Sequence, residues 1–387
     1  MSVGRSHFGF ALVLFVVGVA LRPQFAGIPP LLPRIQAEFA LPYVVASTLT
    51  AIPVLFLGVL AFAGPWAALR YGTGRAILLT LLVILVFSLL RAASPDGWVL
   101  LALTLPVGAA IGLASALVPT AAGPLPSRPR STAVAVYTMG LQVGTGGAAA
   151  IAGYLASAFD SWRVALVLMA LPLALALWGW QWWRAERPPR EITPIDVPAG
   201  LPRQGLLLPV LVFGTQSAAF ISTATWLPAH LQASGWGESE AGLSLGLLNA
   251  VALVGTLLVA VRVRSPMARR WAIAISAVLL ACSLALIALA PDTAFIWVSV
   301  AGLAFGVLFP VGMTLPLDLG ADARESLRLT ASTLGYGYLL AALTSFVTGW
   351  IRDVTGSFVP VFLVLVLSGP VLAYTSIALR RPTSRAA

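Results

Sequence analysis

Lysine is missing altogether from this chain of 387 residues, and charged side chains make up only 9% of it. An ordinary soluble domain is about one quarter charged, so the shortage argues against a water-soluble globular protein. Apolar stretches such as Ala76 to Leu90 and Ile273 to Ala290 also lack the polar face that a soluble helix carries. The single cysteine, Cys282, excludes an intrachain disulfide framework and a thiolate metal cluster. Set in an apolar run, it reads as a small packing residue. There is no P-loop, no zinc-binding spacing and no G-x-S-x-G elbow, so neither an ATPase nor a hydrolase is indicated. GTGG at 144–147 lies inside an apolar stretch and does not follow a strand, which removes it as a phosphate cradle. No catalytic residue, metal site or cofactor is expected.

The formal net charge of +10 would suggest a nucleic-acid partner in a soluble protein. Here the 23 basic residues are all arginine and sit mainly in short loops between apolar runs, so they report topology and no nucleic acid is expected. The arginine-only usage is a compositional bias without mechanistic content.

What is present is hydrophobic length. Runs able to cross a hydrocarbon core of about 30 Å lie at 8–32, 44–69, 75–93, 97–121, 131–158 and 162–183, then at 206–231, 239–261, 270–290, 294–317, 329–351 and 358–379. These predict an all-α membrane protein with about twelve transmembrane helices. The first run resembles a signal peptide but has no small-residue cleavage site, and it is taken as a retained first helix. Between the two sets of six, RAERPPREITPIDVPAGLPRQ is polar and proline-rich. The expected division is an N-terminal half at 1–183, a cytoplasmic linker at 184–204 and a C-terminal half at 205–387.

With the N-terminus inside, eighteen arginines fall on the cytoplasmic side and only Arg34, Arg91, Arg163 and Arg352 on the other. That is a positive-inside bias, and both termini are expected in the cytoplasm. Two six-helix halves are the layout in which a solute site forms near the membrane midplane and the halves rock about it. Twelve helices suffice for a monomer in the bilayer.

The remaining arginine, Arg22, lies in VALRPQFAGIPPLLPRI, inside the first run. A guanidinium at the bilayer centre is costly and points to a cavity or a partner. No Asp, Glu, Lys or His occupies the centre of any predicted span, so no obvious carboxylate proton relay is present. Asp318 and His230 come closest, and both read as boundary residues, Asp318 within reach of Arg324 or Arg328. A fixed positive charge without a fixed anion suits a small anionic solute, which would supply the missing charge. Arg22 could instead bond carbonyls freed by Pro23, Pro29 and Pro30, or snorkel to the surface.

The other polar groups near span centres are Gln24, Ser115, Tyr137, Gln142, Gln216, Asn249, Thr314, Tyr336 and Tyr338. For the amides, interhelical hydrogen bonding is an equally good explanation. Tyr336 and Tyr338, two residues apart, point to different helix faces, so only one should meet a cavity. Trp226 reads either as an interface anchor or as an aromatic wall of the site.

Several segments resemble the cyanate permease and nitroimidazole transporter branch of the major facilitator superfamily. They are LRP with PPLLPRI (21–35), PTAAGPLP (119–126), VYTMGLQVG (136–144), FGTQSAAFISTATWLP (213–228) followed by GESEAGLSL, FGVLFPVGMTL (305–315) and GYGYLLAALTSFVTGWIRDVTGSF (335–358). The resemblance implies a major facilitator fold, alternating access, a bacterial-type inner-membrane location, and Arg22, Gln216 and Trp226 at positions that shape the central cavity. It departs from the family's pattern at Ala20, Ser115 and Ile221, where Asn, Asn and Tyr are common, and GPWAALRYGTGR (64–75) lacks the usual acidic residue of the loop motif. Fewer hydrogen bonders in the cavity point away from cyanate itself, towards another small anion or a small polar heteroaromatic solute. A drug-type exporter of apolar compounds is the alternative.

Overall fold

The computed structural model describes residues 2–60, 63–121, 130–185, 205–263, 265–320 and 322–379. These residues form helices α1 (Ser2–Leu21), α2 (Pro23–Ala26), α3 (Ile28–Phe39), α4 (Tyr43–Val59), α5 (Gly64–Tyr71), α6 (Thr73–Ala92), α7 (Gly97–Ala121), α8 (Arg130–Ala158), α9 (Trp162–Met169) and α10 (Leu171–Ala185). The series continues with α11 (Leu207–Ala233), α12 (Glu238–Arg262), α13 (Pro266–Leu289), α14 (Ala294–Leu319), α15 (Ala323–Thr355), α16 (Val359–Val366) and α17 (Ser368–Ala378). No strand occurs among the described residues.

Each of the twelve apolar runs is helical, some in more than one piece. Ten helices among the described residues are long and apolar enough to cross a membrane. The other two runs hold α4, which spans 17 residues, and α8, which spans 29 but is rich in glycine and alanine. The apolar surface is what a bilayer requires: α13 buries Ile273, Ala277, Leu280 and Leu284 while Trp271, Ile275 and Val278 on its other side are exposed. Helix ends are closed locally where side chains allow, as at Ser161 for α9, Ser265 for α13 and Asp322 for α15, each accepting a first-turn N–H.

The chain groups into two compact units. One comprises the described residues of Met1–Asp196 and Leu227–Gly246; the other those of Val197–Trp226 and Leu247–Ala387. The segment 227–246 thus joins the unit built from the first six runs. The expected linker at 184–204 lies outside the described residues from 186 onwards.

Small residues set the closest helix contacts in both units. In the first, α1 crosses α8 so tightly that a Cβ on Gly18 would strike Tyr137 O, and one on Gly140 or Gly144 would strike Phe15 O or Val19 O. In the second, Gly306 faces the Ala252 carbonyl in the same way. Lipid offers no hydrophobic drive between helices, so association depends on such backbone proximity. The 140–153 glycine run is therefore in part a packing device, although Gly147 has open space around it.

Candidate functional site

The first predicted helix is broken at its arginine. Pro23 has no N–H to donate and disfavours helical geometry at the residue before it. The helix still breaks there, α1 stopping at Leu21 and α2 starting at Pro23, although Arg22 between them keeps right-handed helical angles (φ −99°, ψ −31°); the missing Pro23 N–H interrupts the ladder. The Arg22 carbonyl accepts from Phe25 N at 3.0 Å and Ala26 N at 2.8 Å. After Gly27, α3 opens on Pro29 and Pro30, whose missing donors cost nothing in a first helical turn. The Arg22 side chain is half-buried, and no ion pair or side-chain hydrogen bond among the described residues engages its guanidinium.

Gln24 lies two residues on and is fully buried; its Nε2 donates to Leu166 O of α9 at 3.3 Å. Its backbone carbonyl accepts from Arg91 Nη1 at 3.0 Å. Arg91, counted in the sequence among the arginines of the outer side, is 0% exposed in the last turn of α6, and this burial was not legible. The reason is that a charge closing an apolar run is indistinguishable in sequence from a loop charge, and its partner is a backbone carbonyl without side-chain identity. Arg91 is the functional candidate that sequence reasoning missed.

The other candidates of this unit are less tied to Arg22. Ser115 is half-buried, with its Oγ shielded and without a hydrogen-bond partner among the described residues. Tyr137 is buried on α8, and Gln142, five residues further, is half-buried.

In the second unit, Gln216 is buried on α11, where its Oε1 accepts from Ser217 Oγ at 3.2 Å. Trp226 is fully buried: Nε1 donates to Thr348 Oγ1 of α15 at 3.0 Å and the ring lies 5.9 Å from that of Phe358. Asn249 is half-buried on α12. The two tyrosines of α15 diverge as their spacing predicts. Tyr336 is exposed, whereas Tyr338 is half-buried with its ring edge-on to Phe213 at 5.3 Å.

The fold also shows the surroundings of three boundary residues. His230 is buried and not solvated, because 227–246 packs within the first unit. Asp318 pairs with Arg269; the side chain of Arg324, one of the two partners expected for it, lies outside the described residues. Arg34 pairs with Asp160 and Glu238, and Glu38 pairs with Arg163.

No group of His, Cys, Asp and Glu able to hold a metal ion occurs among the described residues. Arg22 thus stands at a helix break, two residues before a buried glutamine whose side chain and backbone carbonyl are both hydrogen-bonded. The model of the Major Facilitator Superfamily matches residues 9–325. The chain belongs to that superfamily. It is therefore a multi-pass membrane transporter of small solutes. This transporter is 29% identical to the cyanate transport protein CynX of Escherichia coli, over 90% of this chain and 91% of that one. It is 28% identical to the 2-nitroimidazole transporter of the same organism, over 94% of each. Among solved structures, the fold matches a bacterial homologue of the lysosomal transporter Spinster (TM-score 0.79, 15% identity, 97% of each chain). It also matches the xylose transporter XylE of Escherichia coli (TM-score 0.77, 14% identity, 98% of this chain and 99% of that one).

Proposed function

We propose that this transporter moves a small anion or a small polar heteroaromatic solute across a bacterial-type inner membrane by alternating access, with both termini in the cytoplasm. The observation that carries the reading is Arg22: a half-buried guanidinium at a helix break, engaged by no ion pair or side-chain hydrogen bond among the described residues. Such a charge stays costly until something negative or strongly polar meets it. Gln142, Gln216 and Tyr338 are the candidate hydrogen bonders for the solute, and Trp226 is a candidate apolar support. Solutes named for the two curated relatives, cyanate and 2-nitroimidazole, are small and polar and fit this class.

The alternative, an efflux transporter for apolar compounds, leaves Arg22 without a purpose, and a fixed positive charge also repels cationic drugs. A thermal-shift screen of the purified protein decides between them. It compares cyanate, nitrate, bicarbonate, short carboxylates and neutral heterocycles, with Arg22→Ala in parallel. A ligand that binds only the folded protein raises its melting temperature. Stabilisation of the wild type but not of Arg22→Ala by an anion or polar heterocycle supports the reading. Stabilisation by apolar compounds alone, equal in both proteins, overturns it.

A further inference from the structure

Arg91 poses a separate problem of charge. Its guanidinium is wholly inside the first unit, yet only Nη1 has a partner, the Gln24 carbonyl; Nε and Nη2 are buried without any among the described residues. Removing an ion from water costs several kcal/mol, roughly, even after the protein relaxes. One carbonyl and the negative end of α6, in whose last turn Arg91 lies, offset only part of that.

The surrounding hydrogen bonds do not supply the missing charge. Arg91 O accepts from Ser94 Oγ at 2.8 Å, and Ser94 O accepts from Arg163 Nη2 at 2.9 Å. Arg163 in turn is held by Glu38. Along this chain two guanidiniums share one carboxylate, and that carboxylate belongs to Arg163.

A second observation points to the same place. Ser88 stands three residues before Arg91, on the same side of α6. It is fully buried, and its hydroxyl has no partner among the described residues. Thr80 of the same helix, like Thr104 of α7, returns its hydroxyl to a carbonyl three or four residues back. Ser88 does not, so a buried O–H donor is left over one helical turn before the residue that carries two buried N–H donors.

We propose that Arg91 and Ser88 hold a small monovalent inorganic anion, of the size of chloride, at a site distinct from the solute position at Arg22. Two N–H donors and a hydroxyl are the donor set such an anion takes, and its charge completes the pairing that no protein carboxylate provides. Gln24 Oε1 also lacks a donor. As an acceptor it calls for a water, which is the competing occupant.

The proposal stands apart from the choice of transported solute. Its test is the melting temperature of the full-length protein in chloride, bromide or gluconate at constant ionic strength, for wild type, Arg22→Ala, Ser88→Ala and Arg91→Gln. Expected are a saturable rise with chloride and bromide but not gluconate in the wild type and Arg22→Ala, a several-fold weaker halide midpoint in Ser88→Ala, and no halide dependence in Arg91→Gln. If Arg91→Gln does not fold, the wild type and Ser88→Ala decide. Halide-independent melting of the wild type means water alone and overturns the proposal. So does a halide effect lost in Arg22→Ala but unchanged in Ser88→Ala.

Discussion

Arg34 places its Nε 2.8 Å from Oε1 and 3.0 Å from Oε2 of Glu238, a residue 204 positions further along the chain. Its Nη1 meets Asp160 at 2.8 Å. The two carboxylates differ in surroundings, since the Glu238 side chain is 17% exposed and that of Asp160 94%. Water screens the second pair and not the first. Double-mutant cycles on thermal stability are expected to give a coupling for Arg34–Glu238 of about 1 kcal/mol or more and one for Arg34–Asp160 of roughly zero to a few tenths. Equal couplings would contradict the burial argument.

At the crossing of α1 and α8, Gly140→Ala places a methyl group against Phe15 O, whereas Gly147→Ala enters open space. Backbone cannot move aside as a side chain can. The first substitution is expected to cost about 1–3 kcal/mol, seen as a lower melting temperature and a lower yield of monodisperse protein, and the second to leave both unchanged.

Trp226→Phe keeps the ring beside Phe358 but removes the N–H that reaches Thr348 Oγ1. Thr348 donates onward to the carbonyls of Thr344 and Ser345, so its hydroxyl stays bonded. A loss of about 1 kcal/mol in stability is expected. Thr348→Val should cost a similar amount, and the double variant less than the sum of the two.

The tyrosines of α15 offer an internal control. Tyr338→Ala strips the edge-on contact with Phe213 and is expected to destabilise by at least about 1 kcal/mol. Tyr336→Ala, on an exposed face, is expected to shift the melting temperature far less.

The helical content was legible because twelve apolar runs separated by charge and proline have few alternatives in a bilayer. Individual boundaries were less so. The run read as 8–32 ends at Phe39, because Pro33 and Arg34, which follow Leu32, lie inside α3. The break at Arg22 follows from Pro23, yet whether the arginine faced a partner or a cavity depended on which side chains come near it.

Arg91 shows the limit most clearly. Its sequence context, an apolar run ending in RAASPDG, is the same whether the side chain turns outwards or inwards. Only the approach of Gln24 O decides it, and a backbone carbonyl leaves no mark on composition. Arg34 is the same case at long range: its partner Glu238 lies 204 positions away, where no sequence spacing points to it. Gln216 and Trp226 stand where the family resemblance drew attention, and their hydrogen bonds to Ser217 and Thr348 depend on packing that no single sequence displays.

The three pieces of the first transmembrane run also settle how strain travels within it. A continuous helix is a stiff rod, and a bend at one end levers the other through unbroken hydrogen bonds. With Arg22 between α1 and α2 and Gly27 between α2 and α3, the run is articulated. The portion locked against α8 by Gly18 and the portion anchored through Arg34 meet where Pro23 withholds its hydrogen bond, and Arg22 stands at that gap in the ladder.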